Sequence, residues 1–265
     1  MTLNDGAEFR LPPLENIFSI SFLGPFFTYY FIFHYLSKYV KANFFLNFTT
    51  FKRYRLQNLT ICLFHSTVAA YFVLLFAMTH PYEIFYDIIH YDHWLHRQLV
   101  IFSQAYFVHD LLDMFEHELN VYVYELALHH VLTFFFLGAA VWSGKFLIYA
   151  YWALAMEFHS IFLHLRTMSN ITGYLQESPK LSKALTYFNL VAAIIFRIGV
   201  QTFQISWAIV NMNNMHGLYL CVAIIGGTIF LVINIILILR VATSDGIIKP
   251  RYGFMISVNR DNKKD

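Results

Sequence analysis

The sequence predicts an all-α protein that crosses a membrane about seven times, and three observations support this fold class. First, 58% of its 265 residues are hydrophobic and only 13% are charged, which is about half the charged fraction of a soluble domain. Second, its apolar residues fall into runs of the roughly 17 to 25 residues that a membrane-crossing helix needs. Third, the connections between these runs are too short to hold a separate soluble domain. Because backbone polar groups in lipid must be satisfied within the segment, the runs are predicted to be helices.

The predicted spans follow one another closely along the chain. They cover residues 17–36, 59–78, 99–115, 126–142, 146–165, 185–209 and 217–239. Turn signals such as "WSGK" and "NITGYLQESPK" lie between them. Small residues at positions 138–140 and 223–227 are expected to let neighbouring helices approach closely.

The distribution of lysine and arginine predicts the orientation, since short basic loops stay in the cytosol. Fourteen of the 18 basic residues fall in the first loop, the fifth connection and the tail, whereas the opposite side holds only Arg10, Arg97 and Lys145. We therefore expect an outside N-terminus and a cytosolic C-terminus. The net charge of +2 reflects this bias and indicates no nucleic-acid partner. The expected partners are membrane lipids, with other membrane proteins as further candidates.

Ionisable residues lie within or beside five of the predicted spans, mostly toward the cytosolic side. A charge at the bilayer centre costs about 2.5–3.5 kcal/mol, so these side chains are expected to face the bundle interior. In chain order the spans contribute His65; Asp110 and Asp113; Glu125, His129 and His130; Glu157 and His164; and Arg197. The sequence therefore predicts one polar cavity that opens toward the cytosolic leaflet.

The adjacent His129 and His130 are the main candidates for chemistry. Consecutive residues on a helix point about 100° apart, so each imidazole needs its own polar partner. Glu125 lies one turn before His129, where its carboxylate is expected to orient the ring. Two interpretations stay open: acid–base or nucleophilic catalysis, or hydrogen bonds that hold helices together and contribute about 0.6–2 kcal/mol each.

Arg197 is expected to be a structural counter-ion of Glu157 or Asp113. No metal site is predicted, because no histidine pair at metal-binding spacing stands with a carboxylate in a known order. No cofactor is predicted either.

Four motifs, in this order, resemble the TLC-domain family, which is named for TRAM, Lag and CLN homology and includes the ceramide synthases. The motifs are "RLQNLTICLFHS", "YFVHDLLDM", "YELALHH" and "MEFHSIFLHLRTM". The resemblance covers residues 52–244 and implies a barrel-like ring of six helices around a lipid-accessible cavity. Residues 1–51 then hold the outside N-terminus, an additional first helix and a basic cytosolic loop, and residues 245–265 form a basic cytosolic tail.

Within this family, "AMEFHSIFLHLRTM" and "FRIGVQTF" look most similar to the calfacilitin-like branch, whose members are associated with plasma-membrane phospholipid composition and fluidity. His129 and His130 match the double histidine that serves acyl transfer from acyl-CoA in ceramide synthases. The chain departs from those enzymes, because its "HDLLD" at residues 109–113 stands in a different helix from their His-Asp-x-x-Asp run. Ceramide synthesis is therefore not the expected activity.

The resemblance implies a regulator of phospholipid acyl composition and membrane fluidity at the plasma membrane, with the endoplasmic reticulum as the alternative compartment. The alternative functions are an acyl-CoA-dependent lipid acyltransferase and an auxiliary subunit of another membrane protein such as a channel, and the sequence leaves open whether the protein is an enzyme. For catalysis, with acyl-CoA as substrate, the candidate residues are His129, His130, Glu125 and Asp113. The candidates for lining a lipid cavity are His65, Asp110, Glu157, His164 and Arg197.

Overall fold

In the computed structural model, which describes residues 14–117, 121–244 and 247–248, the regular elements are all helical. The α-helices in chain order are α1 (Ile20–Asn43), α2 (Thr50–Thr79), α3 (Glu83–Tyr86), α4 (Trp94–His117), α5 (Val121–Ser143), α6 (Leu147–Leu154), α7 (Glu157–Thr172), α8 (Tyr174–Glu177), α9 (Pro179–Ala192), α10 (Val200–Val210), α11 (Gly217–Cys221) and α12 (Gly227–Ser244). Two π-helical segments, Ala193–Gly199 and Val222–Gly226, join α9 to α10 and α11 to α12. Residues 179–210 and 217–244 therefore each form one continuous rod.

Four of these segments are long and apolar enough to cross a membrane: Thr50–Thr79, Val123–Ser143, Pro179–Val210 and Gly217–Ser244. The other three predicted spans coincide with α1, α4 and the α6–α7 pair. Large apolar side chains point outward along the last rod, where Ile225, Val232 and Ile235 are 59%, 50% and 42% exposed. Such a surface suits contact with lipid rather than water. The chain is a multi-pass helical membrane protein, as the sequence predicts.

Six helical units of the described chain pack as a closed ring. α4 lies between α2 and α5, α2 packs on α7, and α7 packs on α9. The rod 179–210 then packs on the rod 217–244, which returns to α5. α1 lies outside this ring against α4 and α2, and α6 contacts α2, α4, α5 and α10. This is the six-helix arrangement with an additional first helix that the sequence predicts.

The fifth predicted span is not one continuous helix, which corrects the sequence-based expectation. A turn at residues 155–156 separates α6 from α7. α6 is short and six of its eight residues are buried, so that it fills the interior of the ring. The break makes Glu157 the first residue of α7, where the unpaired N–H groups of a helix start favour a carboxylate.

Each end of the bundle has a hydrogen bond to a connecting segment. At the upper end, defined by residues 80–93, 144–146 and 211–216, Phe146 N donates to Ile89 O at 3.0 Å. At the lower end, defined by residues 44–49 and 173–178, Gln57 Nε2 donates to Lys41 O at 3.1 Å and to Phe44 O at 2.8 Å. The basic residues of positions 249–265, which support the predicted orientation, and Arg10, which is expected on the opposite side, lie outside the described residues.

Close helix packing at a small residue is confirmed at Gly227. A Cβ atom there would lie 2.9 Å from Ile205 Cγ1 and 3.3 Å from Gln201 Nε2. The neighbouring Gly226 has nothing within 4 Å of the corresponding position. Gly227 alone of this pair therefore allows α12 to approach α10.

Candidate functional site

The centre of the candidate site is a buried pair of side chains that joins α4 to α5. His130 Nε2 lies 3.0 Å from Asp110 Oδ2, and each side chain is 5% exposed. His130 Nδ1 lies 2.7 Å from Leu126 O, and because a carbonyl only accepts, Nδ1 carries a proton. Both ring nitrogens therefore face acceptors. His130 is engaged by the protein itself.

Asn58 extends this pair toward the lower end. Its Nδ2 donates to Asp110 Oδ1 at 2.7 Å and to Asp113 Oδ2 at 3.3 Å. Lys41 Nζ lies 2.5 Å from the other oxygen of Asp113. Both oxygens of each aspartate thus have partners. α1, α2, α4 and α5 are held together by one chain of polar contacts.

A second polar group surrounds Glu157 at the start of α7. Ser66 Oγ donates to Glu157 Oε2 at 2.5 Å, and His65 Nδ1 lies 3.8 Å from the same oxygen. His65 is fully buried. Its Nε2 lies 3.1 Å from Ser103 Oγ, and its ring stacks on Tyr106 at a centroid distance of 3.9 Å. These contacts fix the imidazole and link α2, α4 and α7.

The third polar group is organised by Arg197, which lies in the π-helical segment Ala193–Gly199. Its Nε donates to His159 Nδ1 at 2.6 Å, its Nη1 to Asn234 Oδ1 at 2.8 Å and its Nη2 to Ser160 Oγ at 2.9 Å. A π-helical turn changes the direction in which a side chain points and is frequent at functional sites. Arg197 therefore connects the rod 179–210, in which it lies, to α7 on one side and α12 on the other.

His129 differs from its neighbour. Its ring is half-buried between His130 and Phe230, with centroid distances of 5.7 and 5.4 Å. Its Nδ1 is buried and has no hydrogen-bond partner among the described residues. An unsatisfied buried polar atom costs about 1–3 kcal/mol and calls for a functional explanation. Of the two adjacent histidines, His129 is the one with a buried nitrogen that has no hydrogen-bond partner among the described residues.

The three groups form one connected polar network. His65 is within electrostatic range of Glu157, Asp110 and His130, and His129 is within range of Arg197. The half-buried His164 of α7 acts on Glu157 and Asp110 at similar range. Apart from Glu125, the site residues predicted from the sequence therefore lie close to one another in the described part of the chain. The single lipid cavity lined by them stays a prediction.

Two expected pairings have different outcomes. Glu125 is 46% exposed and its Oε2 lies 2.7 Å from Arg240 Nη2, so its described partner is α12 and not His129. Arg197 acts electrostatically on Glu157, as expected of a counter-ion, but its described hydrogen bonds go to a histidine, an asparagine and a serine. Asp113, the alternative partner, pairs with Lys41. Both differences arise from packing between helices, which spacing along one helix does not reveal.

Several network residues were not singled out from the sequence as site candidates: Lys41, Asn58, Ser66, Ser160 and Asn234. Asn234 could have been identified from the sequence, because it interrupts the apolar run "FLVINIILIL". An amide side chain within the membrane needs a hydrogen-bond partner. Lys41 had no such signal. It appears as one charge of a basic loop, and only the packing of α1 on α4 shows that it reaches Asp113.

Two cavities lie apart from the network. An apolar one of about 40 Å³ near the upper end is lined by Phe136, Tyr149, Trp207, Met215 and Tyr219 among others. An open groove of about 430 Å³ at the lower end is lined by Leu63, Leu165, Met168, Ser169, Thr172, Tyr174 and Glu177.

One group of metal-ligating side chains lies beside the network. Ligand atoms of Asp113, Glu116 and His117 lie within 4.8 Å of one another. Both oxygens of Asp113 are engaged by Lys41 and Asn58. A metal ion there would have to displace existing contacts, so we do not assign a metal to this group.

These features define the class of protein: a multi-pass helical membrane protein whose ring of six helices buries a histidine–carboxylate network. Comparison with known proteins identifies the class more closely. A sequence profile of the TLC domain matches residues 55–242, and the chain belongs to the TLC-domain family. Except for Lys41, every residue of the network lies within the matched segment. The family is linked to membrane lipid metabolism or regulation.

Individual relatives agree with this assignment. The chain is similar to TLC domain-containing protein 2 of Danio rerio, with 26% identity over 189 residues that cover 71% of this chain and 76% of the relative. It is also similar to TLC domain-containing protein 1 of Gallus gallus, with 30% identity over 164 residues that cover 62% of this chain and 64% of the relative. TLC domain-containing protein 2 of Homo sapiens is 26% identical over 198 residues, which cover 73% of this chain and 72% of that protein.

Proposed function

We propose that this protein regulates the acyl composition of membrane phospholipids and thereby the fluidity of the bilayer. The observation that carries the proposal is His129, whose buried Nδ1 has no partner among the described residues and lies beside the His130–Asp110 pair. The link of the family to membrane lipids supports a lipid as the ligand of this nitrogen. The similarity of "AMEFHSIFLHLRTM" to the calfacilitin-like branch supports phospholipids as the lipid class.

The network is suited to this task because it is rigid. His130 is held at both nitrogens, and Asp110 is held by His130 and Asn58. A ligand polar group that approaches His129 therefore meets fixed charges and not mobile side chains. Such preorganisation favours selective contact with one kind of headgroup or ester group.

A second candidate function, acyl transfer from acyl-CoA, is favoured by the same pair of histidines. In this mechanism His129 Nδ1 takes the proton of an acyl acceptor while the acceptor attacks the thioester carbonyl. The tetrahedral intermediate then collapses with cleavage of the carbon–sulfur bond, and His129 returns the proton to the leaving CoA thiolate. The adjacent His130, held by Asp110, donates hydrogen bonds and so contributes to the polar surroundings of the reacting groups. Purified full-length protein in lipid nanodiscs, supplied with labelled acyl-CoA, distinguishes the two functions by whether label enters phospholipid.

We place the lower end in the cytosol and the protein in the plasma membrane. The basic residues Lys38, Lys41, Lys52, Arg53 and Arg55 lie at or near the lower end, and short basic loops stay in the cytosol. An epitope placed after Asp265 is then reached by antibody only after permeabilisation. Staining of intact cells would contradict this orientation, and staining confined to the endoplasmic reticulum would contradict the compartment.

The proposed function is tested by lipid analysis of cells that lack the protein. Wild-type protein is expected to restore the distribution of phospholipid acyl chains, whereas the double variant His129→Ala with His130→Ala is not. The reason is that a methyl group supplies neither a proton acceptor nor a hydrogen-bond donor. Normal abundance and location of the variant are verified in parallel.

The matched control is His117→Ala, which removes an exposed histidine near the lower end. It is expected to restore the lipid profile as well as the wild type does. If the double variant also restores the profile at normal abundance, the histidine pair serves packing alone and the proposal fails.

A further inference from the structure

A cluster of three histidines lies at the upper end, away from the network just described. His80 follows the last residue of α2, His93 immediately precedes α4, and His96 lies in the first turn of α4. The ring centroids of His80 and His96 are 4.8 Å apart, and those of His93 and His96 are 5.2 Å apart. His96 is therefore the central ring, which meets both of the others.

These histidines stand at the two ends of the connection 80–93, which packs against α6. We call residues 80–93 the cap. Ile84 and Ile89 of the cap are buried. Ile84 O accepts a hydrogen bond from Trp152 Nε1 at 3.0 Å, and Ile89 O accepts one from Phe146 N at 3.0 Å. The middle of the cap is thus fixed on α6, and its two ends meet at the histidines.

We propose that His80, His93 and His96 form an acid-sensitive latch, which holds the cap against α6 at neutral pH and releases it as the pH on the upper side falls. An ordinary imidazole gains a proton near about pH 6.5. Like charges on rings in contact repel one another. This repulsion acts between the end of α2 and the start of α4, where the cap begins and ends. The latch is independent of the lipid ligand proposed for His129.

Neighbouring side chains hold two of the rings in place. Phe76 is buried, stacks on His80 with an interplanar angle of 2°, and meets His96 edge to face at 4.9 Å. The Tyr91 hydroxyl lies 2.5 Å from His96 Nδ1, and the Tyr151 hydroxyl donates to His96 O at 3.0 Å. Because Tyr91 belongs to the cap, movement of the His96 ring away from His80 disturbs the cap directly.

Burial and neighbouring charge favour the neutral form of the central ring. Burial, followed by the imidazoles of His80 and His93, lowers the pKa of His96 from its usual value of 6.5. His96 precedes the predicted span 99–115 and so lies outside the membrane. Because the closed cap disfavours the protonated ring, the stability of the closed cap is complete above about pH 6.5 and is lost as the pH falls below that value toward the lowered pKa.

The acidic side chains of the cap act on other partners. Asp92 forms a two-point ion pair with Arg97, and Glu83 and Asp87 act electrostatically on Tyr91. The described charged groups that act on His96 are imidazoles, so acidification adds like charges beside it. By element, the titratable and charged residues at the latch are His80 at the end of α2; Tyr82, Glu83, Tyr86, Asp87, His90, Tyr91 and Asp92 of the cap; His93, His96 and Arg97 at the start of α4; and Tyr151 of α6.

The test is hydrogen–deuterium exchange of the purified full-length protein in lipid nanodiscs, which reports local opening at about pH 7.5 and about pH 5.5 after correction for the intrinsic exchange rate. One proton taken up on opening lowers the protection of the cap amides by up to about tenfold for each pH unit below about 6.5. We expect the protection of residues 84–91 to fall about five- to tenfold at the lower pH. Residues 134–143 of α5, which contain no histidine, are the internal reference and are expected to keep their protection.

Substitutions in the latch separate its repulsion from a general effect of acid. His96→Gln removes the ring that meets both others and is expected to abolish most of the pH-dependent fall. His93→Lys places a permanent positive charge beside His96 at an exposed position. This variant is expected to lower the protection of the cap about two- to fivefold already at neutral pH, which is the range of an exposed charge interaction.

The matched control is His216→Asn, at the same end of the bundle. His216 caps α11 by accepting a hydrogen bond from Leu218 N, and asparagine keeps that role. This variant is expected to show the pH dependence of the wild type. Equal protection of the wild-type cap at both pH values, or a fall that His96→Gln leaves unchanged, would overturn the proposal. If His96→Gln folds poorly, wild-type protection of His93→Lys at neutral pH overturns it equally.

Discussion

Substitution of Asp110 tests how much the buried network contributes to stability. Asp110→Ala removes the carboxylate from His130 and Asn58 while both of those side chains stay in place. Each buried hydrogen-bonding group that loses its partner costs about 1–3 kcal/mol, and this substitution leaves His130 Nε2 without its acceptor. We expect Asp110→Ala to lower the free energy of unfolding by about that amount.

The assay is detergent-induced unfolding of the purified protein in mixed micelles, followed by tryptophan fluorescence. The control is Glu125→Ala, which breaks the exposed ion pair with Arg240. Exposed pairs contribute only about 0.2–1 kcal/mol, so this variant is expected to unfold close to the wild type. The two substitutions each remove one acidic side chain and differ in burial.

A double-mutant cycle adds a second criterion. Removing His130 together with Asp110 also removes the imidazole that would otherwise lack a partner, so the double variant is expected to lose less stability than the sum of the single variants. Two results would refute the conclusion that Asp110 and His130 are a buried, coupled pair. One is a loss of stability below about 1 kcal/mol for Asp110→Ala, which is the range of an exposed ion pair. The other is strict additivity of the two substitutions in the cycle.

Two further substitutions test the packing of the ring. Gly227→Ala places a Cβ atom 2.9 Å from Ile205 Cγ1 and is expected to lower the free energy of unfolding by about 1–3 kcal/mol through overpacking. In the control Gly226→Ala the new Cβ atom meets nothing within 4 Å, so this variant is expected to be neutral or slightly stabilising. Equal effects of the two substitutions in thermal unfolding would contradict the close approach of α10 and α12. Arg197→Lys is expected to lower the free energy of unfolding by about 1–3 kcal/mol for each acceptor left unpaired, because a lysine ammonium lacks the planar fork of donors. If this variant is as stable as the wild type, the three hydrogen bonds of Arg197 do not hold the rods together.

Long apolar runs, short connections and buried ionisable residues predict a polytopic helical bundle with an inward-facing polar cluster, whereas the closed ring of six helices is what the resemblance to the TLC-domain family implies. Helices are the way to satisfy backbone groups in lipid, and charged side chains must then face inward. Asp110 and His130 follow from this argument without any knowledge of their contacts. Their assignment to one network needs only the depth of each residue along its helix.

What the sequence does not predict depends on lateral packing and local backbone geometry. The break between α6 and α7 occurs in "ALAMEF", which contains neither proline nor glycine, so no turn signal marks it. The π-helical segment around Arg197 also has no recognisable composition. Lys41 reaches Asp113 because its long side chain carries the ammonium away from the α1 backbone, and only the packing of α1 on α4 shows its direction.

The most direct test of the proposed function is a short pulse of labelled oleic acid in cells that lack the protein. Cells expressing the wild type are expected to differ from deficient cells in the rate at which label enters phospholipid, whereas cells expressing His129→Ala at equal abundance are expected to match deficient cells. This single substitution leaves the His130–Asp110 pair in place, so it isolates the nitrogen that is free to meet a ligand. A rate for His129→Ala equal to that of the wild type would contradict the account.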